Sequence, residues 1–211
     1  MVGRKLKAMP IFQSKATDYD YWFDRHPHLF QSELAAIRLA MPPFENGLEI
    51  GVGTGRFAAA LGIRHGLEPL EDFAKIARSR GIEVTVGIAE KLPYPDASFD
   101  LILMVTVDCF LDDVPEAFAE ANRVLVRGGC FVVAFLDRDS AFAKKYKQYG
   151  KPAYQNAHFH NHKEIKDWMK EAGFSDFRFA QTLFMGEEIA ETERPNTGTG
   201  DGSFVVISGR L

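Results

Sequence analysis

Three glycines at alternate positions, Gly51, Gly53 and Gly55, follow an apolar run in the stretch "GLEIGVGTGRF", residues 47 to 57. A strand that breaks into such a turn and resumes as "GRFAAAL" brings backbone close to a neighbour or a ligand, because glycine carries no Cβ to prevent it. The same rhythm repeats downstream. Apolar runs at "GIRHGLEP" (62 to 69), "IEVTVG" (82 to 87), "FDLILMV" (99 to 105) and "CFVVAFL" (130 to 136) alternate with "LEDFAKIARSRG" and "VPEAFAEANRVL", which have helical spacing. Strand and helix in strict alternation specify a parallel sheet with helices on both faces. The apolar runs do not alternate with polar residues, as strands buried on both sides need not.

The two ends of the chain depart from that rhythm. Residues 14 to 41 read as two helices. Thr17 and Asp20 have the spacing of a capping box, Pro27 suits a helix start, and "MPP" ends the second helix. A polar segment rich in Lys and Tyr covers 138 to 157. A helix is expected from 162 to 172, capped by Asn161 with Glu164 and ended by Gly173. "FSDFRFAQTLF" and "GSFVVISGRL" read as two closing strands, and "ERPNTGTGDG" between them as a mobile, turn-rich loop.

Composition narrows the functional classes. A net charge of -4 over 211 residues, with both signs dispersed, offers no basic tract to follow a phosphate backbone, so nucleic acid is not expected as a partner. No apolar run approaches the length of a membrane span. The start of the chain lacks a signal-like apolar core, and the two cysteines, Cys109 and Cys130, sit in apolar surroundings. Free buried thiols in the cytoplasm are expected, with no metal site.

A glycine turn between a first strand and a helix, at the carboxyl edge of a parallel sheet, is where such folds bind nucleotides. The spacing is G-x-G-x-G and no Gly-Lys-Ser/Thr follows, which excludes a P-loop and disfavours a dinucleotide. Glu68 stands at the end of the second apolar run, where a carboxylate can accept from both hydroxyls of a ribose.

Two further stretches, "GIAEKLPYPDASFD" (87 to 100) and "RVLVRGGCFVVAF" (123 to 135), complete a pattern. Taken with the glycine turn, they resemble the class I S-adenosylmethionine-dependent methyltransferases, and within them the type-11 family that includes ubiquinone and menaquinone methyltransferases. The resemblance covers residues 46 to 136 and continues more weakly beyond. It implies a Rossmann-like α/β fold with a seven-stranded sheet, order 3-2-1-4-5-7-6, last strand antiparallel. It also implies an N-terminal helical lid over 1 to 41, on a cofactor-binding domain from 42 to 211. The implied cofactor is S-adenosylmethionine, with S-adenosylhomocysteine as product, and the implied partner is a small-molecule methyl acceptor. By that resemblance Glu49 and the backbone of Gly51 and Gly53 face the methionine part, Gly55 belongs to the same cofactor-binding turn, and Glu68 takes the ribose. Pro69 and Leu70 pack beside the adenine, Ala89 and Glu90 lie at its edge, and Val105 and Thr106 border the methyl group. Many relatives carry Asp where this chain has Ile88.

No catalytic base declares itself. Candidates are Asp108, His158 and His160, with Cys109 and His162 nearby; the histidines of "HFHNH" alternate and would share a face in extended chain. Tyr19, Tyr21, Trp22 and Phe23 form an aromatic cluster suited to a lid and to a cation. The competing readings are a non-catalytic cofactor-binding regulatory protein and a nicotinamide-dependent oxidoreductase.

Overall fold

The structure is a computed structural model and describes residues 16–140, 143–144, 157–185 and 189–211. The chain opens with α1 (Ala16–Arg25) and α2 (Pro27–Ala40) and then enters the alternating region. That region comprises β1 (Gly47–Ile50), α3 (Arg56–Leu61), β2 (His65–Leu67), α4 (Glu71–Ser79), β3 (Glu83–Thr85), β4 (Phe99–Val105), α5 (Val114–Val124) and β5 (Leu125–Leu136). It closes with α6 (His162–Glu171), β6 (Ser175–Thr182), β7 (Asn196–Thr197) and β8 (Phe204–Arg210).

One sheet holds every strand in the order β3-β2-β1-β4-β5-β8-β6-β7. β3, β2, β1, β4 and β5 run parallel, and β8 enters antiparallel between β5 and β6. Without the two-residue β7 this is the expected seven-stranded order. β7 is a correction: it lies inside the stretch expected to be a mobile loop, yet pairs Thr197 with Ala180 and Asn196 with Gln181. β5 also begins five residues early. Leu125 pairs with Phe99 and Cys130 with Leu101, so the residues between them bulge around the Gly128–Gly129 turn.

The sheet is buried on both faces, which is why its strands read as unbroken apolar runs. Along β4, Leu101, Leu103 and Val105 turn to one face, and Ile102 and Met104 to the other. The first face is covered by α2, α3 and part of α4, with Leu34, Ile37 and Ala58 fully buried. The second is covered by α5 and α6 through Phe118, Ala121, Ile165 and Met169. Local signals set the helix ends. Pro27 occupies the first turn of α2, and Asp113 caps α5 by accepting from the Glu116 N–H at 3.0 Å. Asn161 and Glu164 form the expected capping box of α6.

The expected capping box at Thr17 is absent. Thr17 lies inside α1, and the Asp20 carboxylate is bound by Arg56 and Arg80 instead. The expected lid over residues 1 to 41 also divides. Residues 1–15 lie outside the described residues, as does most of the polar Lys and Tyr segment. α2 is a core layer: Leu29, Leu34, Ile37 and Ala40 pack on the sheet, and Ser208 Oγ donates to the Ala40 carbonyl at 2.9 Å. Its apolar stripe is wide enough to bury, and burying each Leu or Ile is worth about 1.5–3 kcal/mol, so the helix has no reason to stay loose. Only α1 remains positioned as a cover. Among the described residues no helix is long and apolar enough to cross a membrane.

Candidate functional site

The glycine turn sits at the carboxyl end of β1 and is bent back on β2: the N–H groups of Gly51 and Val52 both donate to the Leu67 carbonyl, at 2.8 and 3.0 Å. The three glycines serve different ends. A Cβ on Gly51 would lie 2.4 Å from Val107 Cγ2, so this position lets the loop after β4 close in. A Cβ on Gly55 would lie 3.1 Å from the Ala77 Cα, and the Gly55 N–H donates to the Val52 carbonyl. Gly55 therefore lets α3 and α4 pack closely. Gly53 differs from both. Its φ is +55°, and the nearest atom to a notional Cβ is the Tyr19 ring at 3.8 Å, which leaves open space over its Cα.

Glu68 closes the other side of that space. It is 5% exposed, and its two oxygens accept from the N–H groups of Gly53 (2.9 Å) and Leu70 (3.0 Å). Burial pushes its pKa up to about 7, against the pull of those two N–H groups. Each carboxylate oxygen accepts twice, so one lone pair on each is left for a further donor. Glu49, 2% exposed on β1, has one oxygen without a hydrogen-bond partner. Burial raises its pKa well above the usual range; the Ala58 N–H opposes this and the nearby Glu68 charge adds to it. An open glycine Cα, an acid with spare acceptor capacity and a buried, half-satisfied second acid fit a ribose-bearing cofactor with a polar amino-acid tail.

The residues expected on the adenine side lie near the glycine turn. Leu70 packs with Ala16 and Phe73, beside Tyr19 and Ile76, so the start of α1 covers this flank. Ala89 is buried with Leu67 and Leu92. The Glu90 side chain accepts from the Asp112 N–H at 2.9 Å, tying down the loop before α5.

At the carboxyl end of β4, Thr106 has φ +52°, and its N–H donates to the Ala134 carbonyl at 2.7 Å. A left-handed threonine costs on the order of 1–3 kcal/mol and persists only where the surroundings enforce it. The bend drives the chain into a short 3-10 turn, Asp108–Phe110, and buries Asp108. Two of the candidate bases meet there. Asp108 Oδ2 lies 3.0 Å from His160 Nδ1, and the His160 ring stands edge-on to Trp168 with centroids 4.9 Å apart. Burial raises the Asp108 pKa and the hydrogen bond to His160 opposes it. His158 is exposed and joins through its backbone alone, its N–H donating to the Cys109 carbonyl at 2.9 Å. Cys109 is a buried free thiol whose pKa burial pushes well up, which suits packing.

The alternation of histidines has a consequence that sequence reasoning missed. His162 Nδ1 meets Asp137 Oδ2 at 2.6 Å, so His160 and His162 dock on acids at the ends of two neighbouring strands. The signal was an acid closing the fifth apolar run, in the manner of Glu68. Also missed was the clamp on α1. Arg56, the first residue of α3, binds Asp20 (2.8 Å) and Asp24 (2.7 Å), while Arg80 binds Asp20 (2.7 Å) and donates to the Thr54 carbonyl (2.7 Å). Burial raises the Asp20 pKa, but the hydrogen bonds from Arg56 and Arg80 outweigh it and hold the carboxyl at about 2. Of the aromatic cluster, Phe23 is core, Tyr19 faces Gly53, Trp22 stacks on His26 at 4.5 Å, and Tyr21 points to solvent at 60% exposure.

Residues 48–133 match the model of a methyltransferase domain. The chain is 45% identical to a crystal structure from Thermotoga maritima described as an S-adenosylmethionine-dependent methyltransferase, a possible histamine N-methyltransferase. The match covers 96% of this chain and 98% of that one, with a TM-score of 0.91. An uncharacterized protein of Methanocaldococcus jannaschii is 38% identical over 202 residues, covering 95% of this chain and 98% of its own. A malonyl-[acyl-carrier protein] O-methyltransferase of Geobacter sulfurreducens is 30% identical over 145 residues, 64% of this chain and 54% of that protein.

Proposed function

The chain belongs to the class I S-adenosylmethionine-dependent methyltransferases of the type-11 family, and from that premise we propose that it methylates a small molecule whose nucleophilic atom carries a proton. S-adenosylmethionine is the methyl donor. The observation that carries the finer reading is the pairing of buried Asp108 with His160 at the carboxyl end of β4, beside the strained Thr106.

Gly53 and Glu68 would hold the cofactor, by close backbone approach and by hydrogen bonds to the ribose. Glu49 would serve its methionine end, and Val105 and Thr106 would lie on the side of the methyl group. When bound, the cofactor supplies a methyl group made electrophilic by its sulfonium. Asp108 occupies His160 Nδ1 and fixes the ring, which leaves Nε2 to take the proton that the acceptor loses. The Asp108 carboxylate favours the imidazolium so formed, the division of roles seen in acid–histidine pairs elsewhere. α1, clamped by Arg56 and Arg80, excludes water over the turn; fixing the acceptor in line can supply up to about 7–11 kcal/mol. No basic groove favours a nucleic acid, and the relative described as a possible histamine N-methyltransferase supports a small acceptor.

The test is release of S-adenosylhomocysteine from S-adenosylmethionine across a panel of amines, phenols, thiols and carboxylic acids. Turnover on one class, lost in His160→Gln with cofactor affinity retained, is the expected result. Turnover on no member, with cofactor bound normally, would favour the regulatory reading.

A further inference from the structure

Residue 33, on α2, is a glutamate where the helix calls for an apolar residue. In a helical projection it falls among Leu29, Ala36, Ile37 and Ala40, the residues that α2 buries against the sheet. Among the described residues its carboxyl has no hydrogen bond and no ion pair; burial is the sole influence on its titration and pushes the pKa up to about 8. The side chain nonetheless keeps accessible surface. A carboxyl that interrupts a buried stripe, unpartnered and still reachable by water, stands at the margin of the packed face, where a ligand can reach it.

The register of α2 says which end of the sheet that margin lies at. The Ala40 carbonyl accepts from Ser208, which is paired with Val132 in the middle of β5. Immediately before Glu33, Ser32 Oγ accepts from the Glu193 N–H, and the Glu193 carboxylate accepts from the Phe184 N–H just past Thr182. Thr182 pairs with Phe204, and Phe204 with Leu136, the last residue of β5. Glu33 therefore stands level with the carboxyl ends of the parallel strands, the edge that carries the glycine turn and Asp108. The partly buried rings of Phe30, Trp22, Tyr19 and Phe159 pack on the same face of the sheet.

We propose that Glu33 is the specificity-determining residue for the methyl acceptor, and that the acceptor carries a protonated amine as its recognition handle. The proposal rests on the methyltransferase reading and names its substrate class. With no cation beside it among the described residues, the Glu33 carboxyl gains a counter-charge, and its ionised form is favoured, when a cation arrives with the ligand. Aromatic rings packed on the same face of the sheet favour a cation as well. The ammonium is the anchor; the atom that receives the methyl group is a separate nucleophile on the same molecule.

Two pairs of probes differ only in ammonium against hydroxyl: histamine with imidazole-4-ethanol, and tyramine with tyrosol. Calorimetry on protein saturated with S-adenosylhomocysteine should find at least one amine bound tenfold or more tightly than its alcohol. In Glu33→Gln that preference should fall to threefold or less, with S-adenosylhomocysteine affinity within twofold of the wild type. Glu33→Asp, which keeps the charge, should retain part of it. Equal affinity for amine and alcohol, failure of both amines to bind, or a preference that survives in Glu33→Gln would overturn the assignment. Methyl transfer to neutral acceptors in the same preparation would leave the methyltransferase reading standing while the amine handle falls. Failure to bind S-adenosylhomocysteine at all would overturn both.

Discussion

Glu68 makes cofactor affinity a function of pH, and the sign and size follow from its surroundings. In the free protein its carboxyl is held at about 7, chiefly by burial. With a ribose in place it would accept four hydrogen bonds, two from the Gly53 and Leu70 N–H groups already present and two from hydroxyls. Donors favour the ionised form, so binding selects the carboxylate and lowers its pKa. A proton must then leave on binding wherever the free carboxyl is protonated. Affinity for S-adenosylhomocysteine should be level above pH 8 and fall below 7 by about tenfold per unit, since one pKa unit is worth ~1.4 kcal/mol. Glu68→Gln removes the titration. Its amide offers one acceptor oxygen where two N–H groups need one each, and it turns an N–H₂ toward the other donor. The loss of a charge-assisted hydrogen bond, about 1.5–3 kcal/mol, corresponds to roughly ten- to a hundredfold in affinity at pH 8. Calorimetry from pH 5.5 to 8.5, in buffers of different ionisation enthalpy, reads both affinity and protons released. The reasoning fails if the wild-type profile is flat, or if Glu68→Gln keeps the slope.

Gly53→Val should abolish S-adenosylhomocysteine binding with little change in the far-UV spectrum, because the space over Gly53 is open in the fold and needed by the ligand; normal affinity in a folded variant would contradict this. Ile37→Ala should cost about 2–5 kcal/mol in urea unfolding, as expected of a core helix; a change below ~1 kcal/mol would restore α2 to the lid. Asp20→Asn should loosen α1, speeding cofactor association and lowering stability by about 1–2 kcal/mol after allowance for its partial exposure. Because the folded pKa of Asp20 is depressed, that contribution is present above pH 4 and disappears as pH falls through about 2, so wild type and variant should converge in acid unfolding. Once an acceptor is identified, His160→Gln should lower kcat by about a hundredfold or more with KM for the cofactor unchanged; an unchanged kcat would remove His160 from the reaction.

Much of this was legible before the fold was known. Phe99–Val105 reads as a strand because both faces of the sheet are covered, and α6 announces its start through Asn161 and Glu164. Gly53 and Glu68 follow from elementary arguments, a backbone that must be approached and an acid at a strand end, and the structure joins them by a hydrogen bond. Those features depend on residues within a turn or a strand of each other, where covalent geometry limits the choices.

Other features depended on contacts between distant segments. Thr17 and Asp20 have the spacing of a cap, but Arg56 and Arg80 lie far along the chain and bind Asp20 more strongly than a backbone N–H would. Asp108 and His160 were separate candidates until the left-handed Thr106 turned one toward the other. The linear pattern could show that Glu33 interrupts an apolar stripe. Its depth, its lack of a counter-charge and its height above the sheet came only from how α2 docks. Periodicity specifies which face of a helix is buried, whereas the cost of burying a carboxyl depends on every group that folding brings around it.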